Sequence, residues 1–190
     1  MTQYFGYLSG IFITCSFIPY VISIFRGQAK PERASWFIWS ALGGIAFFSQ
    51  LSKGARYSLW LPGIQTVGDI SIFLFSIKYG MGGVSKRDKL ALSIAGLGLI
   101  LWYITQEAAI ALFFAIFIDA IGAFLTILKS YEHPTTEPII AWIFTMLGGF
   151  FAIFAVGGWN WTLLSFPVYT FVANLFIIGS IKLGQARNNI

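Results

Sequence analysis

The sequence predicts an all-α membrane protein in which seven transmembrane helices form two parallel three-helix bundles joined by a linker helix. Three observations carry that expectation: an extreme composition, seven apolar runs near spanning length, and an echo between the two halves of the chain. Of 190 residues, 57% are hydrophobic and 18% aromatic, whereas only 10% are charged; ordinary soluble domains carry about 25%. So little charge cannot clothe a water-soluble surface, which makes the lipid bilayer the first expected partner.

A bilayer core about 30 Å thick takes roughly 20 residues of helix, with about 17 to 25 as the normal range. The apolar runs fall at 4–25, 34–51, 59–77, 90–105, 108–128, 138–156 and 161–181. The fourth is the shortest, and Lys89 can lengthen it by reaching for the interface. The opening "MTQYFGYLSG" has no basic segment before its apolar run and no small-residue cleavage pattern after it, so it reads as a first spanning helix and not a removable signal.

Charge in the connections sets the expected orientation. Arg26, Lys30, Arg33, Lys78, Lys86, Arg87, Lys89, Lys129, Lys182 and Arg187 lie in or beside the first, third and fifth loops and the carboxyl tail, whereas the other side has only Lys53 and Arg56. The positive-inside rule then puts the amino terminus outside and the carboxyl terminus in the cytoplasm, in a plasma or inner membrane. Trp60, Trp102, Trp159 and Trp161 fall at the outer interface, as belt aromatics do. The net charge of +5 comes from these short clusters and not from a basic face, and no nucleic-acid motif accompanies it.

The halves of the chain repeat. Arg26 and Pro31 return as Lys129 and Pro134 at an offset of 103, "LGG" at 42–44 returns at 147–149 at an offset of 105, and "SIKYG" at 76–80 returns as "SIKLG" at 180–184 at an offset of 104. The 105-residue offset also carries Pro62, Gln65 and Asp69 onto Pro167, Thr170 and Asn174. Spans one to three therefore recur as five to seven, giving a first repeat at 1–80, a loop and linker helix at 81–106, and a second repeat at 107–190. The unpaired fourth crossing restores the side from which the second triplet inserts, so the repeats run parallel about an axis along the membrane normal. The "LGG" copies are sites of close helix approach.

Polar residues inside apolar runs mark the expected site. Asp69 lies midway along its span, where an isolated carboxylate costs about 2.5 to 3.5 kcal/mol to insert and so must be paired, protonated or facing water. Gln65 precedes it by one helical turn and shares its face, and Thr170 and Asn174 repeat that spacing. Gln65, Asp69, Thr170 and Asn174 are thus expected to line a cavity for a small polar solute; the plainer alternative is that Asp69 and Asn174 bond to each other and lock the bundle. Asp119, whose rough counterpart in the first repeat is Ser16, is a second intramembrane acid. With Asp69 it is a candidate proton carrier, or a partner for Asp69 across the cavity; the alternative is a neutral, hydrogen-bonded structural carboxyl. Tyr20, Trp39 and Trp142, with Trp36, are candidates for an inner gate or for stacking on a solute ring, and interface anchoring is the alternative.

Three helices, a linker helix and three more, with Asp69 and Asn174 matched halfway down the third and seventh spans, resemble the PQ-loop superfamily, specifically the SWEET-like sugar transporters. The name-giving Pro-Gln pair is altered to Pro19-Tyr20 in the first unit, and Gly122-Ala123 takes the comparable place in the second. Among prolines, only Pro19 and, at a helix start, Pro138 stand as counterparts of the hinge prolines of SWEET proteins. The resemblance implies a secondary transporter that works by alternating access around a midplane site, with a sugar, an amino acid or a vitamin-like solute such as those of the similar nicotinamide riboside carriers. Its runner-up is a receptor like the KDEL receptor, which shares the fold and binds a ligand without moving it. A homo-oligomer fits either.

Other classes find little support. No Walker loop or other phosphate cradle points to nucleotide-driven transport, and no nucleophile stands near a base, so neither an enzyme nor a cofactor is expected. Lys182, repeated by Lys78, reads as an interfacial anchor and not as a retinal-binding lysine. Cys15 is the sole cysteine and is expected as a small buried side chain, and His133 has no partner at metal-ligand spacing. Glu107 reads as a helix-start acid.

Overall fold

The computed structural model describes residues 1–29, 31, 33–80, 107–132 and 134–187, together with positions 89, 93, 96, 97, 100 and 104. Its regular structure among these residues is helical throughout. The six long helices are α1 (Thr2–Phe25), α2 (Arg33–Ser52), α3 (Trp60–Tyr79), α4 (Ala108–Glu132), α5 (Ile139–Ala155) and α6 (Trp161–Arg187), and short 3₁₀ turns cover Tyr57–Leu59 and Pro134–Thr136. Each long helix lies within a few residues of the run that predicts it. The fourth run falls largely outside the described residues, although its five described positions, and Lys89 just before it, are helical.

Among the described residues three stretches are long and apolar enough to cross a membrane: Thr2–Phe25, Tyr57–Tyr79 and Trp161–Arg187. Helix α5, at 17 residues, is apolar but shorter. Helix α2 has the length, but Ser40, Ser49, Gln50 and Ser52 dilute its hydropathy, and two of these, Ser49 and Gln50, are fully buried.

The helices close into a ring. Going round it, α1 packs on α3, α3 on α2, α2 on α4, α4 on α6, α6 on α5, and α5 back on α1 in the most extensive contact of all. In each half the third helix stands between the other two. Exchanging α1 with α4, α2 with α5 and α3 with α6 maps the ring onto itself, the packing counterpart of the repeat in the sequence.

Side-chain pairs give the directions. Gly6 lies against Tyr57 and Gly68 against Phe17, while Phe25 meets Tyr79, so α1 and α3 run together. Asp119 meets Tyr169, and Gly184 lies against the carbonyls of Ser130 and Tyr131, so α4 and α6 do likewise. Phe5 meets Phe154 and Phe12 meets Phe144, which sets α5 against α1. Arg33, opening α2, donates to the Ile77 carbonyl at 3.1 Å near the end of α3, where a cation complements the helix dipole.

Arg26, Arg33, Lys78, Lys182 and Arg187 thereby gather at one end of the ring, while Lys53 and Arg56 sit at the other. Glu107 forms an ion pair with Lys53 at 3.5 Å, with both side chains substantially exposed. The helix-start acid is therefore also a bridge between the end of α2 and the start of α4.

Close approach uses glycine where the repeat predicts it, but unevenly. A Cβ on Gly43 would sit 2.6 Å from the Thr66 hydroxyl and one on Gly149 2.8 Å from the Phe171 backbone nitrogen, whereas one on Gly44 would meet nothing within 4 Å. Besides Pro19 in α1, Pro167 lies inside α6; this extends the expected pair of proline positions, and its missing N–H leaves a carbonyl of the preceding turn unbonded. Cys15 is half-buried, more open than expected.

Candidate functional site

The ring encloses a cavity of about 440 Å³ to which all six helices contribute. Helix α1 supplies Ile13, Ser16, Phe17 and Tyr20; α2 supplies Trp36 and Trp39; α3 supplies Gln65 and Asp69. From the second half come Asp119, Ala123 and Thr126 of α4, Glu137 and Pro138 before α5, Ala141, Trp142 and Thr145 within it, and six residues of α6 from Phe166 to Ile177. Every residue expected at the site, Gln65, Asp69, Thr170, Asn174, Asp119, Tyr20, Trp39 and Trp142, lies on this one wall. Residues spaced i and i+4 share a helix face, and the ring turns that face of α3 and of α6 to the same space.

The two repeat-related pairs differ in chemistry. On α6, Asn174 Nδ2 donates to the Thr170 carbonyl at 2.7 Å, which fixes the amide and leaves Oδ1 without a partner. Thr170 Oγ1 and Gln65 Oε1 are likewise buried and unpartnered. Asp69, 5% exposed, makes no hydrogen bond among the described residues, and Asp69 and Asn174 do not bond to each other. Buried polar groups left unpaired cost about 1 to 3 kcal/mol each. The cavity is bordered by three such atoms, Gln65 Oε1, Thr170 Oγ1 and Asn174 Oδ1.

Asp119 is held differently. The Tyr169 hydroxyl donates to its carboxylate in a short hydrogen bond between α6 and α4. Asp119 also lies close enough to Asp69 for their charges to interact. Ser16, its counterpart in α1, borders the same space but turns its hydroxyl to the Ile13 carbonyl at 2.7 Å.

The aromatic residues cluster toward the basic end. Trp36 stands 5.0 Å from both the Tyr20 and the Trp39 ring, tilted to the first and edge-on to the second. Trp142 donates its indole N–H to Glu137 at 3.2 Å. Toward the opposite end the cavity stops at an apolar plug to which each helix gives one buried residue: Ile13, Ala46, Leu61, Leu112, Ala152 and Phe166. The lower helix contact, Ile38, Leu42 and Ile45 against Ala111, Ala115 and Ile118, seals α2 to α4.

Sequence reasoning missed Tyr169 and Glu137. Tyr169 neighbours Thr170 and so points about 100° away from its face, and only the placement of α4 beside α6 explains its role. Glu137 lies in a loop, and its contact with Trp142 five residues on is a local signal that was available. His133 lies outside the described residues, and no group of three metal-ligating side chains occurs among the described ones.

No family model, curated protein or solved structure matches this chain.

Proposed function

We propose that this protein is a secondary transporter of seven transmembrane helices, arranged as two parallel triplets around a linker helix, that moves a small polar solute by alternating access. One observation carries the reading: a ring of six helices, apolar outside, encloses a polar cavity that is shut at one end by an apolar plug. The outer faces carry Val67, Phe113, Phe117, Phe124, Phe176 and Leu183, each more than half exposed, whereas Asp69, Thr170 and Asn174 are turned inward. Apolar surface of that extent belongs against lipid or another protein. A fourth crossing is supported by the described residues on either side: Tyr79 lies by Phe25 at the basic end and Glu107 by Lys53 at the other. The basic end faces the cytoplasm by the positive-inside rule.

On this reading the structure is the inward-facing state, with the plug as the closed outer gate. Rocking of the two triplets separates the six plug residues and brings the Trp36, Trp39 and Tyr20 cluster together below the solute. Asp69 and Asp119 are the groups through which protons would couple. The resemblance to the PQ-loop and SWEET-like proteins supports the same architecture. A receptor for an anionic peptide terminus fits less well, because among the described residues no Lys, Arg or His lines the cavity.

The test is ligand-induced thermal stabilisation of purified protein against sugars, amino acids and nucleosides, followed by uptake of any hit into proteoliposomes. Stabilisation that is lost in Asp69→Asn and Asn174→Ala, with saturable uptake, is the expected result. Stabilisation that survives both substitutions refutes the site, and binding without uptake favours the receptor.

A further inference from the structure

Resting on the transporter reading, we infer that the solute is an organic cation bearing N–H donors, such as an amine or amidine with a flat or apolar body, and not a neutral polyol.

The cavity's charge is one-sided. Asp69, Asp119 and Glu137 border it, and among the described residues no basic side chain does. Carboxylates in a low-dielectric enclosure make a potential that concentrates cations and rejects anions. Within it the buried unpartnered oxygens, Asn174 Oδ1, Thr170 Oγ1 and Gln65 Oε1, offer acceptors. The orientation at Asn174 is fixed, because its nitrogen is already committed to the Thr170 carbonyl. Asn174 and Thr170 are 6% and 3% exposed, so bulk water does not satisfy them. Acceptors beside a carboxylate ask for a donor with positive charge, which an ammonium or amidinium supplies in one group.

The aromatic cluster supplies the second half of the recognition. Tyr20, Trp36 and Trp39 meet at ring-centroid separations of 5.0 Å with faces at large mutual angles, forming a corner on the cavity wall. Ring faces are negative, and a cation held within about 6 Å of one gains about 2 kcal/mol or more when desolvated. A sugar also stacks on tryptophan, but it brings no charge to answer Asp69 and Asp119. The space of about 440 Å³ suits one small solute with its first waters.

The probes are three isosteric molecules, tryptamine, tryptophol and indole-3-acetate, with glucose as a fourth, offered to the full-length protein in detergent and then in proteoliposomes. Tryptamine alone is expected to raise the melting temperature, with an affinity that drops at least tenfold in Asp69→Asn and also in Trp39→Leu, a variant that leaves the carboxylate in place. Folding of each variant is checked by monodispersity and by its unliganded melting curve. Binding of glucose or tryptophol equal to that of tryptamine overturns the cation assignment and leaves the transporter reading standing. Binding of indole-3-acetate in preference to tryptamine overturns the assignment as well. No stabilisation by tryptamine, nor by a panel of alkyl amines and amidines, overturns the cation assignment, and the transporter reading is then decided by the wider solute screen.

Discussion

The two ends of the bundle interior are built from the same six helices and are opposite in character. The plug takes one residue from each helix, all apolar and all buried, two of them alanines. One to two turns along each helix toward the basic end, the same faces present Gln65, Asp69, Asp119, Thr170 and Asn174 with the Trp36 corner below them. The difference teaches where the free energy goes. In the plug, close packing holds helices whose outer faces gain nothing from association, since lipid is as apolar as leucine. In the cavity, packing is given up and polar groups stay unpaired, a cost that the proposed solute would offset.

Five substitutions break or sharpen that contrast. Replacing Asp69 by Asn keeps its shape and removes its charge, and solute affinity is expected to fall about ten- to a hundredfold, the worth of a charged hydrogen bond, read by titration of melting temperature. In the plug, Leu61→Ala deletes a fully buried side chain and is expected to cost about 2 to 5 kcal/mol of stability, with affinity per folded molecule changed far less. The repeat-related glycines give a matched pair. Gly149→Ala drives a Cβ into the backbone of Phe171 and is expected to cost about 1 to 3 kcal/mol, whereas Gly44→Ala meets open space and is neutral or stabilising by up to about 1 kcal/mol; melting curves compare them. The smallest effect belongs to Lys53→Ala at the exposed Lys53–Glu107 pair, where the change is expected to stay below about 1 kcal/mol and to shrink further in high salt.

The helices were legible because bilayer-length apolar runs leave few alternatives, and the site because Asp69 and Asn174 stand out against apolar neighbours. Matching Pro62, Gln65 and Asp69 to Pro167, Thr170 and Asn174 also anticipated that α3 and α6 play equivalent parts. Their packing was not legible. Nothing in the letters orders six apolar helices into the ring α1, α3, α2, α4, α6, α5, because the contacts rest on shape, and lipid-facing and plug residues are drawn from the same alphabet. The bond from Tyr169 to Asp119 follows from that order and stayed hidden with it. The unequal roles of Gly44 and Gly149 show the same limit: one offset, two different neighbours.

The most direct test asks which faces water reaches. In a Cys15→Ser background, single cysteines at Ala173, on the cavity wall, and Phe176, on the outer face of the same helix, are exposed to a membrane-impermeant thiol reagent in oriented proteoliposomes. Ala173→Cys is expected to react when reagent is added on the side of the basic end and not from the other, while Phe176→Cys stays unreactive from both. Reaction at Phe176→Cys with none at Ala173→Cys would contradict that arrangement.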